Sequence, residues 1–189
     1  MAAPRLAALL ALVVCVAPCA PAAAQAIALE TYRQGDAVNV YAEVRLDVDP
    51  KIAWDVLSDY DHLAEFVPDM SYSRVLSRDG NKVTIEQKGE FGVLFFRQPI
   101  ELKLEIVETP HRTIVARAVG GSFREMTGRY DLDRVEGGGV RIGYAGHFVP
   151  AFPLPTFFGI IGVRHTAASQ LSALVDEIVR RDARARSGH

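Results

Sequence analysis

Cysteine is scarce in this sequence, and the positions of its two cysteines exclude two kinds of chemistry. Cys15 and Cys19 both lie within the first 26 residues. The chain after residue 26 therefore has no thiol, so it can form neither a disulfide framework nor a cysteine nucleophile. A lipid anchor on Cys19 is the alternative, but Pro18 stands where such processing prefers a small residue.

Metal-ligand and catalytic motifs are also missing. None of the five histidines stands at metal-ligand spacing from another, and no HExxH motif occurs. The sequence has no G-x-S-x-G elbow and no P-loop. Its glycine runs at 120–121 and 137–139 are predicted turns and not phosphate-binding loops, because a phosphate-binding loop leads directly into a helix and no helix follows here. The net charge of −2 provides no basic face for nucleic acid. We therefore expect no metal, no cofactor and no nucleic-acid partner.

The first 26 residues differ in composition from the rest of the chain. Arg5 gives a positive start, residues 6–16 are almost wholly Ala, Leu and Val, and small residues follow. Ala24-Gln25-Ala26 fits the small-x-small rule of a signal-peptide cleavage site, and the apolar run is too short for a retained membrane span. We predict a signal peptide over 1–26, cleavage near Ala26 and a periplasmic or secreted product. An N-terminal core helix is the alternative.

Alternating apolar and polar residues predict a series of strands. Residues 38–47 have the period of a half-buried strand. Asp49 and Pro50 then fit the N-cap and first position of a helix, and a second helical turn covers 61–66. The further strands are predicted at 72–77, 83–90, 100–107, 113–119, 123–133 and 140–149. Sequential strands joined by short turns form an antiparallel meander.

The period of the apolar residues becomes helical near the C-terminus. From Thr156 to about Arg181 their spacing predicts one long helix, which would cover the apolar face of the sheet. The predicted fold class is α+β and helix-grip, over 27–182. In it, a curved antiparallel sheet of about six to seven strands wraps the C-terminal helix, with two short helices after the first strand. Residues 183–189 are assigned to a disordered tail.

The beginning of this domain has a motif order known from one family. Segments 49–60 (DPKIAWDVLSDY) and 63–70 (LAEFVPDM) follow the first strand. They resemble START-like (SRPBCC) proteins, and in particular the coenzyme-Q-binding and polyketide cyclase/dehydrase group. There a Pro, an aromatic-Val-Leu helix, an Asp-aromatic pair and a Phe-x-Pro segment occur in this order. The resemblance implies a helix-grip domain with an internal apolar cavity, because members of the group bind lipids, quinones or polyketides.

The strand and helix patterns identify candidate residues for such a cavity. Small-molecule pockets are mostly apolar, with a few placed polar groups. The expected cavity residues are Trp54, Phe66, Leu102, Leu104, Met126, Tyr144, Phe148, Phe157, Ile161 and His165. The polar candidates are Arg97, Arg124 and Arg129, although Arg124-Glu125 and Arg129-Asp131 are also typical of exposed strand pairs.

Two apolar stretches with almost no charge stand where loops are predicted. They are residues 91–96 (FGVLFF) and 147–163 (HFVPAFPLPTFFGIIGV). They either cap the core or form the mouth of the cavity and contact a membrane surface transiently, since large exposed apolar patches mark interaction sites. Under the second interpretation the mouth residues are Phe91, Leu94, Phe95, Phe96, Phe152 and Phe158.

Three functions are compatible with these features. We expect a non-catalytic binder or carrier of an apolar small molecule or lipid, such as a quinone, an isoprenoid or an acyl lipid. The alternative is a polyketide cyclase/aromatase-like enzyme, in which a polar cavity residue positions and protonates the substrate. This enzyme requires two polar groups that converge inside the cavity, and the sequence shows no convincing pair. A third possibility is a module that binds a protein through its aromatic stretches.

Overall fold

The computed structural model describes residues 26–93, 96–154 and 159–188. Residues 1–25 of the predicted signal peptide lie outside the described residues. The strands are β1 (Ala28–Gln34), β2 (Ala37–Leu46), β3 (Met70–Asp79), β4 (Lys82–Val93), β5 (Phe96–Thr109), β6 (Thr113–Gly121), β7 (Phe123–Arg134) and β8 (Val140–Pro150). The helices are α1 (Pro50–Leu57), a 3-10 helix (Tyr60–Glu65) and α2 (Gly159–Ser187).

The described strands form one antiparallel sheet in the order β1-β2-β8-β7-β6-β5-β4-β3. Together with the long C-terminal helix, this sheet confirms the predicted α+β helix-grip fold, with eight strands where about six to seven were expected. The additional strand, β1, forms a hairpin with β2 through Gly35, whose φ of +60° suits glycine. Most side chains of β1 are exposed, so the sequence there lacks the strong alternation of a half-buried strand.

The apolar stretch 91–96 extends the sheet, although a loop was expected there, whereas the beginning of the stretch 147–163 lies in β8, as the predicted strand 140–149 requires. β4 continues to Val93, which pairs with Phe96 at the beginning of β5. Residues 147–150 belong to the end of β8. Both stretches thus contribute to the same end of the sheet.

Helix α1 begins as predicted from the sequence. The Asp49 side chain accepts a hydrogen bond from the Lys51 backbone N–H, at 2.8 Å, and Pro50 occupies the first turn. Ala53 and Val56 are fully buried on the inner face. Because Pro lacks an N–H and the carboxylate satisfies a free donor, this cap stabilises the helix start.

Helix α2 is anchored by its C-terminal half. Asp182 is buried and accepts a hydrogen bond from the Asp49 backbone N–H at 2.9 Å. Arg181 connects the buried carboxylate of Glu177 (2.6 Å) to Asp59 (2.9 Å). The helix continues to Ser187 and so includes residues 183–187, which were assigned to the tail. Within the part of the chain that the structure describes, no helix is long and apolar enough to cross a membrane.

One end of the space between sheet and helix is filled by a packed core. The large buried side chains come from the sheet, α1 and the C-terminal half of α2, and include Leu46, Val56, Val83, Ile106, Leu132, Val140 and Ile178. Toward the other end of the strands, the inward-facing residues line a cavity beneath the N-terminal half of α2. The packed core therefore holds the fold together and leaves the second half of the interior to the cavity.

Candidate ligand-binding cavity

A cavity of about 310 Å³ lies between the concave face of the sheet and the N-terminal half of α2. An engineered apolar cavity of about 150 Å³ already binds benzene, and ligand pockets typically begin at about 300 Å³. The cavity is therefore large enough for a small apolar molecule.

One face of α2 forms the roof of the cavity. Its lining residues recur at helical spacing and are Val163, Thr166, Ala167, Gln170, Leu171 and Leu174. The central residues of this face, Thr166 and Ala167, are small. They leave space above the sheet, whereas Leu174 closes the cavity toward the packed core.

A strip of small residues lies at and beneath the floor. Gly146 on β8 pairs with Gly128 on β7, which pairs with Ala116 on β6. A Cβ atom on Gly146 would lie 2.6 Å from the Tyr144 hydroxyl oxygen and 2.6 Å from Cε2 of Phe148. The two aromatic rings therefore occupy the space that a side chain at 146 would need, and the absence of that side chain lets them lie against the strand.

Two tyrosines stand side by side on this floor. Tyr130 pairs with Tyr144 across β7 and β8, both line the cavity, and their ring centroids are 4.7 Å apart. Burial raises the pKa of Tyr130. Burial and, secondly, the neighbouring Tyr130 raise the pKa of Tyr144. Both phenols therefore stay neutral at physiological pH and can donate hydrogen bonds, but they cannot act as bases.

The opposite wall carries a polar network that ends at the surface. Gln87 lines the cavity and donates to Ser73 Oγ at 3.3 Å, and that hydroxyl donates to the Tyr60 carbonyl at 2.6 Å. The Tyr60 hydroxyl donates to the buried Glu108 carboxylate at 2.9 Å, which also accepts from Arg78 at 2.8 Å. Burial and then Glu108 raise the pKa of Tyr60. Because its hydroxyl is already engaged, Tyr60 is a structural group and does not contact a ligand through that proton.

Charged residues of the lining are found where β3 begins and on the second half of β4. Lys88 pairs with Glu101 at 3.5 Å, Glu90 forms an ion pair with Arg97, and Asp69 is exposed. In a strand, alternate side chains point to opposite faces, and residues 88 and 90 alternate with the inward-facing Gln87 and Phe91. The side chains of Lys88 and Glu90 therefore point away from the inward row that contains Gln87 and Phe91.

Six residues expected at the cavity or its mouth line it. They are Leu102, Leu104, Met126, Tyr144, Phe148 and Phe91. Two further mouth candidates contact the lining from outside it. The Phe96 ring lies 6.3 Å from Phe91, and the Phe152 ring lies 6.1 Å from Phe123, which is itself a lining residue.

Four expected cavity residues lie elsewhere. Trp54 is buried in the packed core, with its ring 5.5 Å from His111. Phe66 lies beneath the Arg181 guanidinium, at 5.8 Å. Ile161 is 60% exposed and His165 is exposed as well, because each is two residues, or about 200° of helix rotation, from the inward-facing Val163.

The three arginines proposed as polar cavity groups are all exposed on the outside of the sheet. Arg124 pairs with Asp36 at 2.8 Å, Arg129 pairs with Asp131 at 2.6 Å, and Arg97 pairs with Glu90. An irregularity between Phe123 and Glu125 shifts the register of β7. Phe123 therefore lines the cavity, whereas Arg124 points outward to its ion pair. The remaining candidates, Leu94, Phe95, Phe157 and Phe158, lie outside the described residues.

Tyr130, Gln87 and the pair Gly128 and Gly146 line or support the cavity but were not predicted from the sequence. Tyr130 stands four residues after Met126 on the same strand face, so strict period-two counting would have found it. Gln87 is the polar member of the inward row Val83, Ile85 and Gln87, which is the same kind of signal. The pairing of Gly128 with Gly146 joins residues far apart in the chain, and a single sequence contains no local signal for it.

The fold and the sequence can be compared with known proteins. The Zhui aromatase/cyclase from Streptomyces sp. R1128 has a TM-score of 0.65 at 15% identity, over 77% of this chain and 95% of that one. A STAR-related lipid transfer protein from Xanthomonas axonopodis has a TM-score of 0.66 at 18% identity, over 80% and 92%. A START superfamily protein from Mycobacterium smegmatis has a TM-score of 0.60 at 13% identity, over 77% and 97%.

At these identities the structural likeness establishes the fold alone, and a search of curated proteins finds no match. The family model described as polyketide cyclase / dehydrase and lipid transport matches residues 46–175. The START-like resemblance is thus confirmed, and the chain belongs to the polyketide cyclase / dehydrase and lipid transport family.

Proposed function

We propose that this protein binds and carries an apolar small molecule or lipid in the cavity between the sheet and α2. The observation that supports it is a hollow of about 310 Å³ whose walls are mainly apolar. Burial of an apolar ligand there contributes about 25 cal/mol per Å² before the cost of association. Binding needs no catalytic group, and a family that includes lipid transport fits such a role.

The positions of the charged groups favour a carrier over the cyclase-like alternative. The three arginines considered for substrate contact are engaged in ion pairs outside the cavity. The tyrosines inside it have raised pKa values, so they are poor proton donors in a chemical step at neutral pH. A carrier requires only that the ligand enter and leave.

We further propose that the carrier acts outside the cytoplasm, in the periplasm or as a secreted protein, after cleavage near Ala26. The support is the composition of residues 1–26, with a positive start, a short apolar run and a small-x-small site. Mass spectrometry of the mature protein from the cell envelope would show a new N-terminus at Ile27. A retained Met1 in the envelope fraction would contradict cleavage.

Two substitutions, each of which replaces an alanine with phenylalanine, test the cavity. Ala116 lines it, whereas Ala145 lies on the outer face between its cross-strand partners Tyr41 and Arg129, which are both exposed. Ala116→Phe places a ring in the hollow, and Ala145→Phe adds the same ring outside it. The ligand is assayed by native mass spectrometry with lipid extraction of the purified protein, and by binding of the neutral fluorophore N-phenylnaphthylamine.

We expect Ala116→Phe to abolish ligand and fluorophore binding and to stabilise the empty protein by about 0.5–2 kcal/mol, because it fills a void. Ala145→Phe should bind like the unmodified protein. If the region were packed solid, Ala116→Phe would instead destabilise by about 1–3 kcal/mol. That loss of stability, or undiminished binding by Ala116→Phe, would refute the proposed site.

A further inference from the structure

The hydroxyl groups of Tyr130 and Tyr144 have no hydrogen-bond partner among the described residues. Both rings are partly accessible, and both line the cavity. In the same part of the chain, every buried side-chain oxygen or nitrogen has a partner. The two hydroxyls therefore keep some accessible surface, and their rings form part of the cavity wall, where the Tyr144 hydroxyl lies beside Gly146. Two unpaired donors in a mainly apolar space are costly unless they gain an acceptor.

We infer that the ligand is an uncharged apolar molecule with an oxygen acceptor, such as a ketone or quinone carbonyl, which receives a hydrogen bond from the Tyr130–Tyr144 pair. This inference rests on the proposed carrier function and specifies its ligand class. The paired strands hold the two phenols side by side, at 4.7 Å between ring centroids, so one oxygen can lie within reach of either. Neutral phenols donate and do not repel such an oxygen.

The charges around the cavity exclude an ionised headgroup at this position. The cation among the described lining residues is Lys88, which pairs with Glu86 and Glu101. Its strand position alternates with the inward-facing Gln87, so its ammonium lies on the outer side of β4. A carboxylate beside the tyrosines would thus be buried without a counter-ion, which is far more costly than burying a carbonyl.

Three related probes separate these ligand classes: fluorene, which has no oxygen, fluorenone, which adds one carbonyl, and fluorenecarboxylate, which adds a charge. Binding is measured for the unmodified protein and for Tyr130→Phe, Tyr144→Phe and the double variant. The matched control is the double change Tyr32→Phe with Tyr41→Phe. This second tyrosine pair is stacked at 5.9 Å on neighbouring strands, but it is exposed on the outer face. The carbonyl stretching band of bound fluorenone is recorded by infrared spectroscopy.

We expect the unmodified protein and the surface control to bind fluorenone roughly 2- to 12-fold more tightly than fluorene, the range of one neutral hydrogen bond, and to bind fluorenecarboxylate weakest. In the double variant the preference for fluorenone should disappear, and the carbonyl band should move to higher wavenumber as the hydrogen bond is lost. Fluorene affinity should stay the same.

Three results would overturn the inference, and they differ in what else they affect. Equal affinity for fluorene and fluorenone in the unmodified protein would refute the carbonyl contact but leave the carrier function intact. The carbonyl contact would also be refuted, with the carrier function intact, if the double variant still binds fluorenone more tightly than fluorene and the carbonyl band does not shift. If none of the three probes binds, both this inference and the proposed function fail.

Discussion

The glycine pair on the cavity floor provides the most direct test of how this cavity arises. Replacing Gly146 with alanine would place Cβ 2.6 Å from the Tyr144 hydroxyl and from the Phe148 ring. Carbon atoms in contact prefer about 3.5–4.0 Å, so both rings must move by about 1 Å, and the open direction is the cavity. Gly128→Ala is the matched control, because its Cβ would meet Tyr144 at 3.5 Å, an ordinary contact. Neither glycine has a positive φ, so alanine strains neither backbone.

We expect Gly146→Ala to lose about 1–3 kcal/mol of unfolding free energy, the usual cost of overpacking. It should also weaken N-phenylnaphthylamine binding by about tenfold, since a misplaced ring costing about 1.4 kcal/mol in the complex has that effect. Gly128→Ala should change stability by at most about 0.5–1 kcal/mol, with a gain expected from the lower entropy of the unfolded chain. Urea unfolding followed by circular dichroism gives the first quantity and fluorescence titration the second. If the two variants behave alike in both assays, the proposed origin of the cavity is wrong.

Two further predictions concern the surface and the anchoring of α2. The hydrogen bond between His62 and Asp59, at 2.6 Å, raises the pKa of His62. The protonated His62 should therefore stabilise the folded protein fully below the unfolded pKa of about 6.5. This contribution should be lost as the pH rises through the higher pKa of the folded state. The melting temperature of His62→Gln should accordingly be lower than that of the unmodified protein at pH 6 and equal to it at pH 9. If the melting temperature is lowered equally at both pH values, the ion pair does not contribute as proposed. Asp182→Ala removes the acceptor of the Asp49 backbone N–H and should lower the free energy of unfolding in urea by about 1–3 kcal/mol. The control is Asp176→Ala, because Asp176 is exposed on the same helix. Equal effects of the two substitutions would rule out this role of Asp182.

Much of the fold follows from local patterns in the chain. The alternation in 38–47 and 100–107, the cap formed by Asp49 and Pro50 and the helical spacing after Thr156 all identify their elements, because burial on one face imposes a period on the sequence. The order of these elements was enough to predict one long helix covering an antiparallel meander. It did not identify β1, because most side chains of this edge strand are exposed, and the sequence there lacks a clear alternation of apolar and polar residues.

For the cavity, too, part of the answer could be predicted from the sequence and part could not. Leu102, Leu104 and Met126 could be assigned to the concave face, because counting by two along a strand states which side a residue faces. The same counting cannot tell a cavity from a packed core, since both are lined by the same face. Whether the interior is hollow depends on the combined volume of the side chains that neighbouring strands and α2 place against one another.

Only the tertiary structure brings Gly128 opposite Gly146, places Tyr130 beside Tyr144 and turns Ile161 and His165 away from the interior. The amino-acid sequence by itself determined which faces are apolar and in what order the elements follow. Pairing register and helix rotation then decided which small residues meet to leave a space, and which tyrosines line it. These quantities depend on contacts between distant parts of the chain, and short-range periodicity carries no information about them.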